Sequence, residues 1–112
     1  VLNIRIGNAD PKVVDGRRER IWLSAPDMVQ LVNLGMTHPD LVCETIYGVS
    51  NCPEPIFDNA NAEALGYRPT GKAADHRHPD FKPRSELPPA DIVHVGGYFA
   101  TLPLPLPAGF DT

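Results

Sequence analysis

No Gly-x-x-Gly-x-x-Gly turn stands between a strand and a helix in this 112-residue chain, and none of its three tyrosines is followed four residues later by a lysine. The first absence excludes a self-contained dinucleotide cradle. The second excludes a tyrosine and an ammonium one helical turn apart, a common pair for removing a hydroxyl proton. There is no basic surplus either: 10 Lys and Arg stand against 14 Asp and Glu, a net charge of −4 with pI near 5.4. Such a chain is not expected to neutralise many phosphates, so nucleic acid is not an expected partner. The longest apolar run is far too short for a bilayer, and no basic segment followed by an apolar one opens the chain, so no membrane partner is expected and a soluble protein is. Cysteine is scarce: Cys43 and Cys52, without any Asn-x-Ser/Thr site, read as free thiols, which favours the cytoplasm.

What is present begins with Val1, not Met, inside an apolar strand pattern, and is expected to be an internal cut or a processed end. The length allows one domain at most. There are 13 prolines, many of them beyond Thr70, and no internal repeat. Leu2 to Gly7 reads as a buried parallel strand, Asn8 to Arg20 as a loop at its carboxyl end, and Ile21 to Leu23 as a short edge strand. Ser24 is a helix N-cap, with Pro26 in the first turn and Asp27 completing a capping-box-like start. Met28, Leu31, Val32 and Met36 form the helical stripe, and Gly35 marks the helix end. Leu41 to Val49 is the second buried strand. Asp58 caps a short helix through Leu65, closed by a left-handed Gly66.

Thr70 to Ala90, polar and proline-rich, is expected to cross the surface without regular structure. Asp91 to Thr101 is expected to be a β-hairpin turning at Gly96-Gly97, packed through Tyr98 and Phe99, and Leu102 to Pro107 an extended tail. The expected fold class is α/β, in two parts: residues 1–69 as a Rossmann-type substrate-binding part and 70–112 as a proline-rich tail with a hairpin at 91–101. Two buried-type strands lack sheet neighbours, so complete folding is expected only against a missing N-terminal Rossmann portion or in a homo-oligomer.

The segments N-I-R-I-G-N (Asn3 to Asn8), D-G-R-R-E-R-I-W-L-S (Asp15 to Ser24) and I-Y-G-V-S-N (Ile46 to Asn51) resemble the extended short-chain dehydrogenase/reductase superfamily, over its C-terminal part. D-N-A-N-A-E-A-L-G-Y-R-P (Asp58 to Pro69) and V-G-G-Y-F (Val95 to Phe99) are most similar to its uronate dehydrogenase branch. The resemblance implies an NAD cofactor whose nicotinamide end lies against main-chain groups at Ile6 and Gly7. It implies that Asn8 stands where a sugar-binding Ser is usual, and that Arg17 pairs with the substrate carboxylate. Phe57 replaces a usual Trp, a departure expected to touch packing alone.

The chemistry agrees with these assignments by residue type. A guanidinium offers a rigid fork of donors to a planar carboxylate and so separates an acidic sugar from its neutral analogue. Arg17, Arg18 and Arg20 qualify equally by type, and on composition alone a solvated charge cluster balanced by Asp15 and Glu19 is the commoner arrangement. The family match selects Arg17. Asn8 can donate to and accept from hydroxyls, or simply form a turn at a strand end. His76 and His78 with Asp75 and Asp80 do not make a metal site, lacking a helix-borne ligand. Cys43 reads as a packed small hydrophobe, Cys52 as a thiol without a His partner, and Trp22 and Tyr47 as core or interface aromatics.

The reading is therefore the substrate-binding part of an NAD-dependent enzyme oxidising a hexuronic acid at the anomeric carbon to the aldarolactone, with no catalytic residue of its own. Two alternatives stand beside it: part of a nucleotide-sugar epimerase or dehydratase, and a non-catalytic binding module docking through its proline-rich tail.

Overall fold

The computed structural model describes residues 1–101, apart from the side chains of Tyr98 and Phe99. The expected extended tail at Leu102 to Pro107 lies outside the described residues. Strand β1 (Leu2–Arg5) pairs in parallel with β3 (Glu44–Tyr47), Leu2 opposite Glu44 and Arg5 opposite Tyr47. Between them runs helix α2 (Ala25–Thr37), the crossover that parallel pairing requires. The result is a mixed α/β fold with parallel strands, as the sequence led one to expect.

Both strands differ from the expected fully buried type. β1 alternates half-buried Leu2 and Ile4 with exposed Asn3 and Arg5, and in β3 only Ile46 is buried. Successive strand residues point to opposite faces, and among the described residues one face of this sheet is covered, by α2 and the short helix α3 (Ala60–Ala64). Leu23, Leu31, Ile46, Ala62 and Tyr67 make the core there, with Leu2, Ile4, Met28, Leu34 and Leu65 packed around it.

The helix stripe is rotated from the one expected. Asp27 and Leu31 are fully buried and Met28 and Leu34 partly so, whereas Val32 and Met36 face solvent. Gly35 does not end the helix; a Cβ there would lie 3.1 Å from the Cβ of Leu2, so its role is close approach of helix to strand. Ser24 does cap α2, its hydroxyl accepting from the Asp27 N–H at 3.2 Å, with Pro26 in the first turn.

Helix α3 begins one residue later than Asp58 suggested. Asp58 still accepts the Ala60 N–H at 2.7 Å, while Asn59 exchanges two 3.0 Å hydrogen bonds with the main chain of Val49. Its end is as expected: Gly66 has φ +105, and the N–H groups of Gly66 and Tyr67 return to the carbonyls of Glu63 and Ala62, which satisfies the last turn.

The loop after β1 and the region beyond Thr70 are more structured than expected, because they pair with each other. β2 (Val13–Asp15) runs parallel to β4 (Arg77–Lys82), with an irregular register across the segment holding Pro79. Val13, Trp22 and Ala73 form a second core cluster beneath them, flanked by Cys52 and Phe81. Helix α1 (Gly16–Glu19) follows β2, capped by Asp15, which accepts the Arg18 N–H at 2.8 Å. Glu19 is buried and held by Arg77 through two bonds of 2.5 and 3.0 Å.

The hairpin at 91–101 is not formed. Helix α4 (Pro89–Val93) and a 3-10 turn (Gly97–Thr101) stand in its place. Pro89 suits a first helical turn, and Gly97, at φ +63, donates its N–H back to the His94 carbonyl, so Gly96-Gly97 joins two helical turns and not two strands.

Candidate functional site

The ligand end of an open parallel sheet lies beyond the carboxyl ends of its strands. There the chain leaves β1 through Ile6 and Gly7. Asn8 then bridges to Trp22, with its N–H on the Ile21 carbonyl at 2.9 Å and its own carbonyl taking the Leu23 N–H at 2.8 Å. A cavity of about 390 Å³ opens at this point, walled by Ile6, Gly7, Asn8, Arg17, Phe57 and the Val95–Gly96 turn among others. All four residues singled out from the sequence thus line one space.

Each has a structural account beside a functional one. Gly7 packs so closely on Ile21 that a Cβ would lie 2.5 Å from the Ile21 Cβ, which requires glycine with or without a ligand. Ile6 is 42% exposed, an apolar surface turned to the cavity. The Asn8 amide is engaged locally: Nδ2 donates to Asp10 at 3.2 Å and Oδ1 accepts the Asp10 N–H at 3.3 Å. Asn8 thus forms a local turn with Asp10 and also borders the cavity.

Arg17 departs from its neighbours. Arg18 pairs with Asp15 at 3.5 Å, and Arg20 donates through Nε to the Glu54 carbonyl at 2.7 Å. Arg17 crosses from α1 to α4, its side chain only 13% exposed, with Nη1 donating to the Val95 carbonyl at 2.6 Å. Its Nε is buried and has no hydrogen-bond partner among the described residues.

Phe57 is more than packing. It stacks on Tyr47, centroids 4.8 Å apart, and lines the cavity, so the departure from Trp alters the pocket wall itself. Trp22 is core, 2% exposed, its indole N–H on the Asp10 carbonyl at 2.7 Å, whereas Tyr47 is 38% exposed. Cys43 is exposed, contrary to expectation, because the chain reaches β3 only at Glu44. Burial pushes the Cys52 thiol up to about 11, partly opposed by its bond to the Trp22 carbonyl, which leaves it a poor nucleophile at neutral pH. His76 lies against Trp22, and His78 Nδ1 accepts the Asp80 N–H at 3.0 Å.

Sequence reasoning placed Asp27 at the start of α2 but missed its buried bonding. Asp27 is fully buried and accepts from the Ser50 hydroxyl, the Thr70 N–H and hydroxyl, and the Gly71 N–H. Burial alone would raise its pKa; the bonds from Ser50, Thr70, Gly71 and Ser24 outweigh it and hold the group below its ordinary value. It knits α2 to the two loops beneath the site. Asp91 and the Val95–Gly96 turn were also missed, since they were assigned to a hairpin.

No family model matches the chain. Over 100 residues, 88% of its length, it is 32% identical to the uronate dehydrogenase of Pseudomonas putida, and it is 31% identical over 102 residues to that of Pseudomonas syringae pv. tomato. The likeness is to uronate dehydrogenase. The fold agrees: the chain superposes on glucuronic acid dehydrogenase from Chromohalobacter salexigens with TM-score 0.72 at 30% identity, covering 91% of this chain and 39% of that one. It superposes on an Agrobacterium tumefaciens uronate dehydrogenase variant complexed with NAD with TM-score 0.75 at 27% identity, covering 93% and 40%. The resemblance read from the sequence, to part of an extended short-chain dehydrogenase most like uronate dehydrogenase, is thus met in both sequence and fold. The chain spans 37% and 36% of the length of the two curated relatives.

Proposed function

We propose that this chain is the substrate-binding, C-terminal part of an NAD-dependent oxidoreductase that oxidises glucuronate or galacturonate at the anomeric carbon to the aldarolactone. The observation that carries this reading is the convergence of Ile6, Gly7, Asn8 and Arg17 on one cavity, in a chain similar to uronate dehydrogenases.

The residues present fit a nicotinamide: an exposed apolar Ile6 and a Gly7 without side chain lie at the carboxyl end of β1, where a flat ring can approach the main chain. When bound, NAD supplies the hydride acceptor. Arg17 anchors the sugar carboxylate, which fixes the orientation of the ring, and Asn8 hydrogen-bonds its hydroxyls. Removal of the anomeric hydroxyl proton falls to a tyrosine and lysine in an N-terminal Rossmann portion that also supplies the Gly-rich turn; this chain has neither motif. The exposed outer face of β1 and β3, with Asn3, Arg5, Thr45 and Tyr47, is the surface that this portion or a second subunit of a homo-oligomer would cover. Among the described residues no helix is long and apolar enough to cross a membrane, and with two free thiols we place the enzyme in the cytoplasm.

The test is Arg17→Ala in the complete enzyme. Loss of a desolvated carboxylate's partner costs roughly 2 to 5 kcal/mol of transition-state stabilisation, with NAD affinity spared. Arg17→Lys restores only part, since a point charge lacks the fork, and Arg18→Ala matters much less. Unchanged turnover of both uronates by Arg17→Ala would remove the acidic-sugar assignment.

A further inference from the structure

A guanidinium whose plane is already fixed binds a carboxylate at a lower ordering cost, and one carboxylate stands next to the Nε of Arg17, which is unbonded among the described residues. Arg17 also lines a second cavity, of about 240 Å³, together with Arg20, Arg84, His94 and Asp91. Among the described residues lining it, Asp91 is the one carboxylate. Its Oδ1 stands 3.9 Å from Arg17 Nε, both side chains largely buried. That Nε is the buried donor without a hydrogen-bond partner among the described residues. A shift of about 1 Å would bring the pair to an ordinary N–H···O distance.

Two backbone features hold this pair in register. Helix α4 presents Asp91 in its first turn, and the following turn, closed by the Gly97 N–H on the His94 carbonyl at 3.0 Å, delivers the Val95 carbonyl to Nη1 at 2.6 Å. Gly97 itself is wedged between the partners: a Cβ on it would lie 2.5 Å from Asp91 Oδ1 and 2.8 Å from Arg17 Nε. With the Val95 carbonyl on Nη1 and the Asp91 carboxylate drawn onto Nε by that shift, the guanidinium plane would be defined from two sides, leaving Nη2 and the second Nη1 hydrogen for a ligand.

We propose that Asp91 is a positioning residue for acidic-sugar specificity, holding Arg17 through Nε so that the rest of the guanidinium meets the substrate carboxylate. This rests on the role given to Arg17 above. Asp91 does not touch substrate. It sets how well the fork is pre-organised, which appears in binding of the acidic sugar and not in hydride transfer.

The experiment is steady-state kinetics of the complete enzyme with glucuronate and galacturonate, with NAD affinity and melting temperature measured on each variant. Asp91→Asn, which keeps the shape, should raise KM for both uronates by about tenfold, the scale of losing a charge-assisted bond. Its kcat, NAD affinity and melting temperature should change little, and Asp91→Glu should recover part of the loss. Uronate KM unchanged in Asp91→Asn while Arg17→Ala is inactive would overturn the proposal and leave the Arg17 assignment standing. A parallel fall of kcat, NAD affinity and melting temperature, without rescue by Asp91→Glu, would also overturn it, marking Asp91 as a structural support only. If Arg17→Ala keeps full activity, the carboxylate reading fails, and the proposal with it.

Discussion

Ser50 donates its hydroxyl to Asp27 Oδ2 at 2.5 Å and accepts the Ser24 N–H at 2.9 Å, so the serine completes the reciprocal half of a capping box that Asp27 cannot reach itself. Through this relay the start of α2, the loop after β3 and the Thr70–Gly71 segment share one buried carboxylate. Asp27→Ala would leave two backbone N–H groups and two hydroxyls without their acceptor, at a cost of about 3 kcal/mol or more. Urea unfolding of the complete protein should show the loss, and a variant as stable as the parent would disprove the relay's importance.

The same group sets an acid limit. Its folded pKa lies below its ordinary value, so its contribution is fully present above the unfolded-state pKa, about 3.9, and is lost as pH falls through the lowered folded value. Asp27→Asn should flatten the acid limb of the stability profile below about pH 4 and leave the slope near neutrality unchanged. An unaltered acid limb would contradict this.

How far the sequence revealed this molecule depended on whether the signal was local. Ser24 as cap, Gly66 as left-handed terminus and the β-branched run around Ile46 were legible because each obeys rules spanning a few residues. The pairing of β2 with β4 was not: the strands lie some sixty residues apart, one is three residues long and the other contains Pro79. The double glycine at 96–97 misled, because a glycine permits positive φ in a hairpin and between helical turns alike. Arg17 needed the family likeness to be told from Arg18 and Arg20. Asp91 gave no sequence signal, since its meaning comes from a contact across 74 positions in the chain, the difference between residues 91 and 17.

The two thiols should differ sharply in reactivity. Cys43 is exposed, while Cys52 is half-buried with its thiol raised to about 11 by burial. At pH 8 only on the order of 0.1% of Cys52 is thiolate, the reactive form. Iodoacetamide, followed by peptide mass spectrometry, should label Cys43 first, with Cys52 gaining roughly tenfold per pH unit up to pH 10. Equal labelling rates at pH 8 would refute the packing around Trp22 and Cys52.

Glu19 and Arg77 make an asymmetric pair: the carboxylate side chain is 8% exposed and the guanidinium 48%, lying over the Phe81 ring at 4.5 Å. Removing the exposed partner strands a buried charge; removing the buried one leaves a solvated arginine. Arg77→Ala should therefore destabilise by about 1 to 3 kcal/mol, and Glu19→Gln by less. Denaturant midpoints for both variants decide it, and the reverse order would show that β4 is held to α1 by other contacts.

Gly97 gives the most direct reading of the α4 segment. Its φ of +63 strains any residue with a Cβ, at a cost of roughly 1 kcal/mol for alanine. The added methyl would also enter the gap between Asp91 Oδ1 and Arg17 Nε. The Asp91 carboxylate, the Arg17 side chain or the turn itself has to give way, and each of these shifts disturbs the register of Asp91, Arg17 and the Val95 carbonyl. Gly97→Ala should therefore weaken uronate binding by more than its small loss of stability explains, about tenfold or more in KM, with NAD affinity close to the parent's. Retention of the parent KM for glucuronate and galacturonate would mean that Arg17 is oriented without the turn, and that the wedge at Gly97 serves packing alone.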